Sequence, residues 1–371
     1  MRKTILGIGT LLIGGTFLLA SCGSKGEVKR DADGKEVLSG YITLSGAFAL
    51  YPLAIQWADE FHRLHPDVDI DISAGGAGKG ITDVLADQVD IAMVSRELKP
   101  AEVEKGAFAY AVAKDAVVPT INAANPLYKE LMQRGLTQEA AKGLWNGSIH
   151  SWGEVLEISQ KMASANAASK KSASNTSSVS SSLLSSSANA SSISSSAVSS
   201  SAVSSSPNVS KVNVYTRSDA CGAAETWAKF LDSKQEDLKG TGVFGDPGIA
   251  ETLQKDVNGI GFNNIGYAYN DKTHKPMKGI AILPIDVNKN GKIDADERFY
   301  DTMDQLMAAI SEGRYPSPPA RNLYLVTAGK SKNPVVREFL KYVITKGQKL
   351  TAPAGFVNIN KEQQKKGLNN L

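Results

Sequence analysis

Residues 41–64 contain three consecutive segments: a strand-like run, a turn of small residues and an amphipathic segment. Their sequence is YITLSGAFALYPLAIQWADEFHRL. The first four residues are mostly aromatic or β-branched, which favours a β-strand. Pro52 suits the first turn of a helix. Apolar side chains then recur at helical spacing, at Leu53, Trp57, Phe61 and Leu64. The stretch therefore predicts a strand that leads directly into a helix.

The following thirty residues or so repeat this arrangement. Val68 to Ile72 alternates apolar residues with aspartates, Gly75 to Gly80 forms a glycine-rich turn before a short helix, and Val89 to Val94 is apolar again. Strand, helix, strand, helix and strand in succession are typical of an α/β domain built on a parallel sheet.

The rest of the chain predicts a second domain and a return to the first. Asp115 to Asn122 is an extended apolar stretch that crosses between the two domains in this interpretation. We expect residues 37–120 and 275–371 to form the first domain. Residues 121–274 then form the second, including a strand around residues 265–269.

A serine-rich interval interrupts the second domain. About half of residues 161–210 are serine, and the interval has no aromatic residue and no helical or strand period. Such a composition buries too little apolar surface to fold, so residues 163–210 are predicted to be a disordered insertion in a surface loop. Loop-closure entropy grows slowly with length, so the domain tolerates it.

The N-terminus predicts export and anchoring. Arg2 and Lys3 precede an apolar run that is too short for a transmembrane helix, which indicates that residues 1–21 are a secretory leader. The run ends in LASC, which resembles the bacterial lipobox, in which Cys22 is lipidated. Residues 22–36 then form a tether that holds the protein at the cell envelope, in the periplasm or on the cell surface. The alternative is a plain signal peptide followed by an incidental cysteine.

Charge and cysteine content narrow the function. The chain has 41 basic and 38 acidic residues, a net charge of +3, which is too weak for a nucleic-acid-binding surface. Only two cysteines exist, so lipidation of Cys22 leaves Cys221 as an unpaired thiol. Cys221 is then either a small buried apolar residue or part of a ligand site.

Short motifs in a fixed order carry a family resemblance. They are SGAFA (45–49), GGAGKGI (75–81), DIAMVSR (90–96), NGSI (146–149), RSDACG (217–222), GIG (259–261), IGY (265–267) and AGF (354–356). Together they resemble the substrate-binding protein family of phosphate ABC transporters. The resemblance implies a two-lobed periplasmic-binding-protein fold of type II, with a mixed sheet flanked by helices in each lobe. It also implies a binding protein rather than an enzyme, with no catalytic cofactor. Such a protein is a monomer that captures phosphate between its lobes and delivers it to a transporter permease.

The resemblance also implies a ligand site made of backbone amides and one arginine. Helix N-termini offer N–H groups and favourable dipole ends to an anion, and Ser95 takes the place of the group that accepts the proton of hydrogenphosphate. Four positions lack the hydroxyl that the family carries, and Ser45 and Ser73 are candidates to compensate. The implied ligand contacts are Ala47, Phe48, Ala49, Ala77, Ser95, Arg217, Cys221, Gly222 and Ala223.

A separate motif predicts a structural calcium ion. Residues 286–297 fit the twelve-residue EF-hand template, with oxygen ligands, a glycine at the sixth position and a final glutamate. The alternative is a polar, asparagine-rich turn. The predicted metal ligands are Asp286, Asn288, Asn290, Lys292, Asp294 and Glu297.

Two other functions stay open at this point. The missing hydroxyls favour the same fold binding another oxyanion or a small organic acid. A secreted hydrolase that uses Cys221 as nucleophile is also conceivable, although no local signature supports it.

Overall fold

The computed structural model describes residues 26–30, 36–176 and 211–371. The predicted leader, Cys22 and most of the serine-rich interval lie outside these residues. The strands are β1 (Glu27–Arg30), β2 (Glu36–Gly46), β3 (Val68–Ala74), β4 (Ile91–Val94), β5 (Ala107–Asn122), β6 (Asn213–Arg217), β7 (Thr241–Val243), β8 (Gly259–Asn264), β9 (Ile280–Ile282) and β10 (Ala320–Ala328).

The helices cover both faces of these strands. They are α1 (Tyr51–Leu64), α2 (Ala77–Leu85), α3 (Pro100–Glu104), α4 (Tyr128–Arg134), α5 (Gln138–Asn146), α6 (Trp152–Thr176), α7 (Gly222–Phe230), α8 (Gly245–Lys255), α9 (Ile265–Ala268), α10 (Met303–Ser311), α11 (Pro334–Ile344) and α12 (Lys361–Asn370). Three 3-10 turns lie at Gln235–Asp237, Ala295–Glu297 and Lys346–Leu350. Within the described part of the chain, no helix is both long and apolar enough to cross a membrane.

The sheet mixes parallel and antiparallel pairs. Its strand order is β1-β2-β4-β10-β5-β8-β6-β7, with β3 beside β2 and β9 beside β5. The predicted parallel arrangement is confirmed at β2, which pairs in parallel with β3 and β4. β10 runs antiparallel to β4 and β5. The α/β class is therefore confirmed, with the mixed sheet that the family resemblance implied.

One strand connects two separate hydrophobic cores. β5 has 16 residues, of which the first part pairs with β10 and the last part with β8 and β9. Val112 and Ala113 of β5 pack in the first core, around α1 and α11, whereas Ala116 and Val117 pack in the second, around α5 and α7. The two cores are the centres of two lobes, and β5 and β10 cross between them.

The chain returns to the first lobe later than the sequence predicted. Residues 281–315 belong to the second core, and Leu323 is the first buried residue after them that packs in the first core. The boundary expected at residue 275 is therefore wrong. The reason is that β9 adds to β5 beside the second core and that α10 turns its apolar face, with Leu306, towards the same core.

Three local expectations also need correction. Residues 27–30 of the predicted tether form β1, which pairs antiparallel with β2. α6 continues to Thr176, so the first part of the predicted insertion is helical. The strand expected at 265–269 lies at Gly259–Asn264, whose six residues are all buried, and Ile265–Ala268 is a short helix.

Candidate anion-binding site

Three chain turns that precede helices meet between the two lobes. The Gly78 amide, in the first turn of α2, donates to the Ala220 carbonyl just before α7, at 3.2 Å. The Phe48 carbonyl, before α1, accepts from the Tyr267 hydroxyl of the second lobe at 3.2 Å. The starts of α1, α2 and α7 therefore lie close together, as the resemblance implied.

Free backbone amides gather at this meeting point. Within the described residues, the amide nitrogens of Phe48, Ala49, Ala77, Gly222 and Ala223 make no hydrogen bond to the protein. The last three belong to first helical turns, where N–H groups have no intrahelical acceptor and carry partial positive charge. A small anion that receives several of these N–H groups at once would be held without any cationic side chain.

Ser95 adds a hydroxyl to these amides. It follows β4, is 2 % exposed, and its Oγ has no protein partner within the described residues. It lies directly against α7, because a Cβ atom added to Gly222 would stand 2.3 Å from the Ser95 Oγ and 2.5 Å from its carbonyl oxygen. Only glycine permits this approach, so Gly222 is a steric requirement of the contact between the lobes.

Arg217 is held between two carboxylates. Its Nη1 donates to the Asp246 Oδ2 at 2.6 Å, and its Nε and Nη2 donate to Asp219 at 2.7 and 2.6 Å. All three side chains are buried, and the nearby carboxylates raise the pKa of Arg217 further above its usual range in spite of burial. The trio carries a formal charge of −1. Arg217 therefore offers a ligand at most its remaining N–H groups and not an uncompensated positive charge.

An aromatic pair covers this arginine. The Arg217 guanidinium lies 5.6 Å from the centre of the Phe48 ring. Phe48 in turn packs edge-on against Phe244, with ring centres 5.9 Å apart. Phe244 is 62 % exposed, so the pair stands at the outer margin of the candidate site.

Cys221 is structural in this arrangement. It is 4 % exposed and caps α7, because its Sγ accepts from the Ala224 amide at 3.4 Å. Burial raises the pKa of the Cys221 thiol to about 12, and this effect outweighs the opposing influence of Arg217. A thiol that stays protonated at neutral pH is a poor nucleophile. The hydrolase alternative therefore loses its nucleophile.

The two serines that were expected to compensate for missing hydroxyls are engaged elsewhere. The Ser45 Oγ donates to the Asp83 Oδ2 at 2.6 Å and accepts from the Lys79 ammonium at 3.1 Å. The Ser73 hydroxyl donates to the Leu44 carbonyl at 3.4 Å. In this structure the two hydroxyls are therefore not free to replace the missing hydroxyl groups at the ligand site. The donors that remain at the site are the backbone amides and Ser95.

In the predicted calcium loop, the carboxylate oxygens accept hydrogen bonds from backbone amides of the same loop. Asp286 accepts from the Asn290 and Gly291 amides at 3.1 and 2.8 Å. Glu297 is 4 % exposed and accepts from the Val287, Asn288 and Asp294 amides. These bonds occupy the oxygens that the template assigns to the metal.

The side chains between them pair with one another. Asn288 and Asn290 donate to the Asp294 carboxylate at 3.1 and 2.5 Å, and the Lys292 ammonium lies 2.6 Å from it. Among the described residues, no group of three or more His, Cys, Asp or Glu side chains is placed to hold a metal ion. The described residues therefore do not support the structural calcium ion, and the contacts within the loop are compatible with the asparagine-rich turn of the alternative interpretation.

Two functional candidates escaped the sequence analysis. Asp246 binds Arg217 from a position 29 residues away, and no local pattern marks it. Glu225 of α7 pairs with Arg96 at 3.1 Å and with Lys99 at 2.9 Å, both on the segment that follows β4. For the ion pair between Arg96 and Glu225, the only indication in the sequence was the arginine at the end of the motif at 90–96.

Comparisons with known proteins show the family to which this fold belongs. Residues 31–346 match the model of the PBP superfamily domain. A phosphate-binding protein PstS of Bacillus subtilis is 31 % identical over 172 residues, which span 45 % of this chain and 55 % of that protein. Another, of Staphylococcus epidermidis, is 22 % identical over 100 % of this chain and 94 % of its own length. The chain thus spans about half of the first relative and nearly all of the second.

Solved structures share the fold. A Clostridium perfringens protein solved with bound phosphate superposes with a TM-score of 0.60 at 17 % identity, over 86 % of this chain and 100 % of that one. An ABC-type phosphate transport receptor from Vibrio cholerae gives a TM-score of 0.54, also at 17 % identity, over the same shares of the two chains. These similarities establish the two-lobed fold.

Proposed function

Because the chain belongs to the PBP superfamily and is a binding protein rather than an enzyme, we propose that it captures phosphate between its two lobes and delivers it to an ABC transporter. The observation that carries the proposal is the convergence of free amides from α1, α2 and α7 with the unpartnered Ser95 hydroxyl. The phosphate-binding names of its relatives support the same ligand.

The mechanism in this proposal is closure of the two lobes around the anion. The amides before α1 and α2 belong to the first lobe and those of α7 to the second. An anion that bridges them binds the closed form more strongly than the open form and shifts the population towards closure. A transporter then distinguishes the loaded protein by its closed shape.

The proton of hydrogenphosphate gives a reason to favour phosphate over sulfate. The Ser95 hydroxyl makes no hydrogen bond within the described residues, so it can accept a hydrogen bond from a protonated phosphate oxygen or donate one to an unprotonated oxygen. The trio of Arg217, Asp219 and Asp246 is net negative, which disfavours any dianion beside it and favours the monoanion H2PO4−, a form for which sulfate has no counterpart at neutral pH. Both features favour a ligand that keeps a proton at neutral pH.

Anchoring at the envelope is part of the same proposal. The motif at 19–22 supports lipidation of Cys22, and residues up to Gly26 then connect the lipid to β1. A monomer that is tethered in this way stays near the transporter permease. Mass spectrometry of the membrane-extracted protein tests this: an acylated Cys22 at the new N-terminus is expected, and an unmodified Cys22 contradicts it.

The ligand is tested by calorimetric titration of the protein with phosphate, sulfate and molybdate. We expect phosphate to bind with a nanomolar to micromolar Kd and the other two to bind far more weakly. Gly222→Ala places a methyl group 2.3 Å from the Ser95 Oγ, so the lobes cannot close fully and phosphate affinity falls by roughly tenfold or more.

Gly153→Ala is the matched control, because its added methyl group meets only the Ser151 Oγ at 3.7 Å. Absence of heat with phosphate refutes phosphate as the ligand. Tighter binding of sulfate or molybdate supports the second candidate, another tetrahedral oxyanion, which the lack of hydroxyl side chains at Phe48 and Ala77 favours.

A further inference from the structure

A second cavity lies beside the crossing strands, apart from the candidate phosphate site. Its volume is about 440 Å³, within the range of roughly 300–1,000 Å³ that is typical of small-molecule sites. None of the residues that the resemblance assigned to the ligand lines it. Its polar wall is formed by Arg96, Glu97, Lys114, Thr226, Lys229, Arg321 and Asn322.

The polar wall is basic. Four of its residues are cations and one, Glu97, is an acid that accepts a hydrogen bond from the Tyr324 hydroxyl. Lys114, on β5, and Lys229, on α7, make no ion pair and no side-chain hydrogen bond among the residues that the structure describes. Two lysines without a carboxylate partner among the described residues therefore line one open cavity.

Arg321 also lines this wall, with most of its side chain buried. Its side chain is 6 % exposed and lies 3.2 Å from the Asp115 carboxylate, and its Nη1 donates to the Thr226 hydroxyl at 3.1 Å. Its Nε is buried and has no partner within the described residues. The Nε is too deeply buried for a ligand in the cavity to reach, so Arg321 is a structural part of this wall and the ligand contacts are left to the two lysines.

The opposite wall is apolar. Ile310, the ring of Tyr315, Pro316 and Pro318 line it, and the Tyr315 hydroxyl is turned away to the Val117 carbonyl at 2.6 Å. A bare inorganic anion would leave this wall and most of the volume unused. A ligand with an anionic group at one end and an apolar body at the other matches both walls.

We propose that this cavity binds a small organic anion, with Lys114 and Lys229 at its phosphate or carboxylate group and Tyr315 against its apolar body. The cavity shares no lining residue with the candidate phosphate site, although Arg96, which lines the cavity, directly follows Ser95. Its walls come from both lobes, so its occupancy is coupled to their relative position. The inference goes beyond the proposed function and does not depend on it.

The test uses phenyl phosphate and benzoate as probes, titrated calorimetrically into the full chain. The key variant is Lys114→Ala/Lys229→Ala, and Lys361→Ala/Lys366→Ala on α12 is a control with the same change in charge. We expect one or both probes to bind, the cavity variant to lose at least roughly tenfold in affinity, and the control to bind as the wild type does. The probe that binds identifies the preferred anionic group.

Inorganic phosphate is titrated into the same variants to separate the two sites. The proposal expects the cavity variant to bind phosphate like the wild type, which also shows that the variant is folded. It is overturned if neither probe binds, if the cavity variant binds the probes unchanged, or if it loses the probes and phosphate together. If the wild type does not bind phosphate, the proposed function fails. The comparison of probe affinities still tests whether the cavity binds an organic anion. Thermal melting then shows whether the variant is folded.

Discussion

Arg96 and Glu225 face each other across the two lobes, with the Arg96 Nε 3.1 Å from the Glu225 Oε2. Each adjoins a candidate ligand group, because Ser95 precedes Arg96 and Gly222 lies one helical turn before Glu225. Arg96 is also held by Glu102 at 2.7 Å, so its position on the first lobe is fixed. The pair therefore ties the two halves of the site together in the closed form.

Glu225→Gln is expected to lower phosphate affinity by about tenfold, which corresponds to roughly 1.4 kcal/mol. The substitution removes the ion pairs to Arg96 and Lys99, so the binding-competent closed form is less populated. Calorimetry measures the affinity and small-angle scattering measures the opening of the free protein. Glu251→Gln, which removes an exposed pair within α8, is the control. Equal affinities for wild type and Glu225→Gln contradict the role of this pair.

Arg217→Met is expected to destabilise the fold by about 3–5 kcal/mol, because it leaves Asp219 and Asp246 buried without their partner. Urea unfolding measures the change. Arg63→Met, which removes an exposed pair with Glu60, should change stability by less than about 1 kcal/mol. Similar losses in the two variants would show that the buried trio contributes no more than a surface ion pair.

Cys221→Ser should alter the pH dependence of stability. The pKa of Cys221 is raised from 9.0 to about 12 in the folded protein. Below pH 9 the thiol is protonated in both states. Above it, the unfolded chain loses the proton and the folded one keeps it, so wild-type stability falls by up to about 1.4 kcal/mol per pH unit until pH 12.

Serine does not titrate in this range and still accepts from the Ala224 amide, so the cap of α7 is kept. The difference in unfolding free energy between variant and wild type is therefore expected to grow between about pH 9 and pH 11. Urea unfolding at several pH values measures it. Parallel curves would show that the thiol is not shielded.

Glu297→Gln should lower the melting temperature whether or not calcium is present. The wild-type carboxylate accepts three backbone amides, and a glutamine amide group cannot accept them all. A loss of about 1–3 kcal/mol is expected, or a few degrees in Tm. Glu312→Gln, at an exposed pair with Arg314, is the control. A melting temperature that rises with calcium and falls with a chelator would restore the metal site.

Local patterns predicted the elements well where one face of an element is buried. The spacing of Leu53, Trp57, Phe61 and Leu64 predicted α1. The first three residues are fully buried, whereas Leu64, at the end of the helix, is 42 % exposed. Helical spacing likewise predicted that Leu306 is buried. It did not predict in which of the two cores, because the apolar face of a helix can pack against either one. The boundary near residue 275 failed for this reason.

The close approach of the chain segments at the candidate site was predictable from small residues, whereas their role in ligand binding stays a prediction. Small residues at the starts of α1, α2 and α7 indicated that the chain approaches something closely there, and the close contact of Gly222 with Ser95 agrees with this. Asp246 was not predictable, because its partner Arg217 is distant in sequence and an acidic residue near a proline has no special pattern. The EF-hand template misled because its carboxylates bond equally well to the amides of their own loop.

The two crossing strands leave and re-enter the first lobe at neighbouring positions. Ala113 of β5 is directly opposite Leu323 of β10 in the ladder, and all the buried residues of the second core lie between them in sequence. The second lobe is therefore inserted into the first through two chain segments that lie side by side, at the paired strands β5 and β10. We expect that it can be exchanged with the corresponding lobe of a relative by joining the chains at this strand pair.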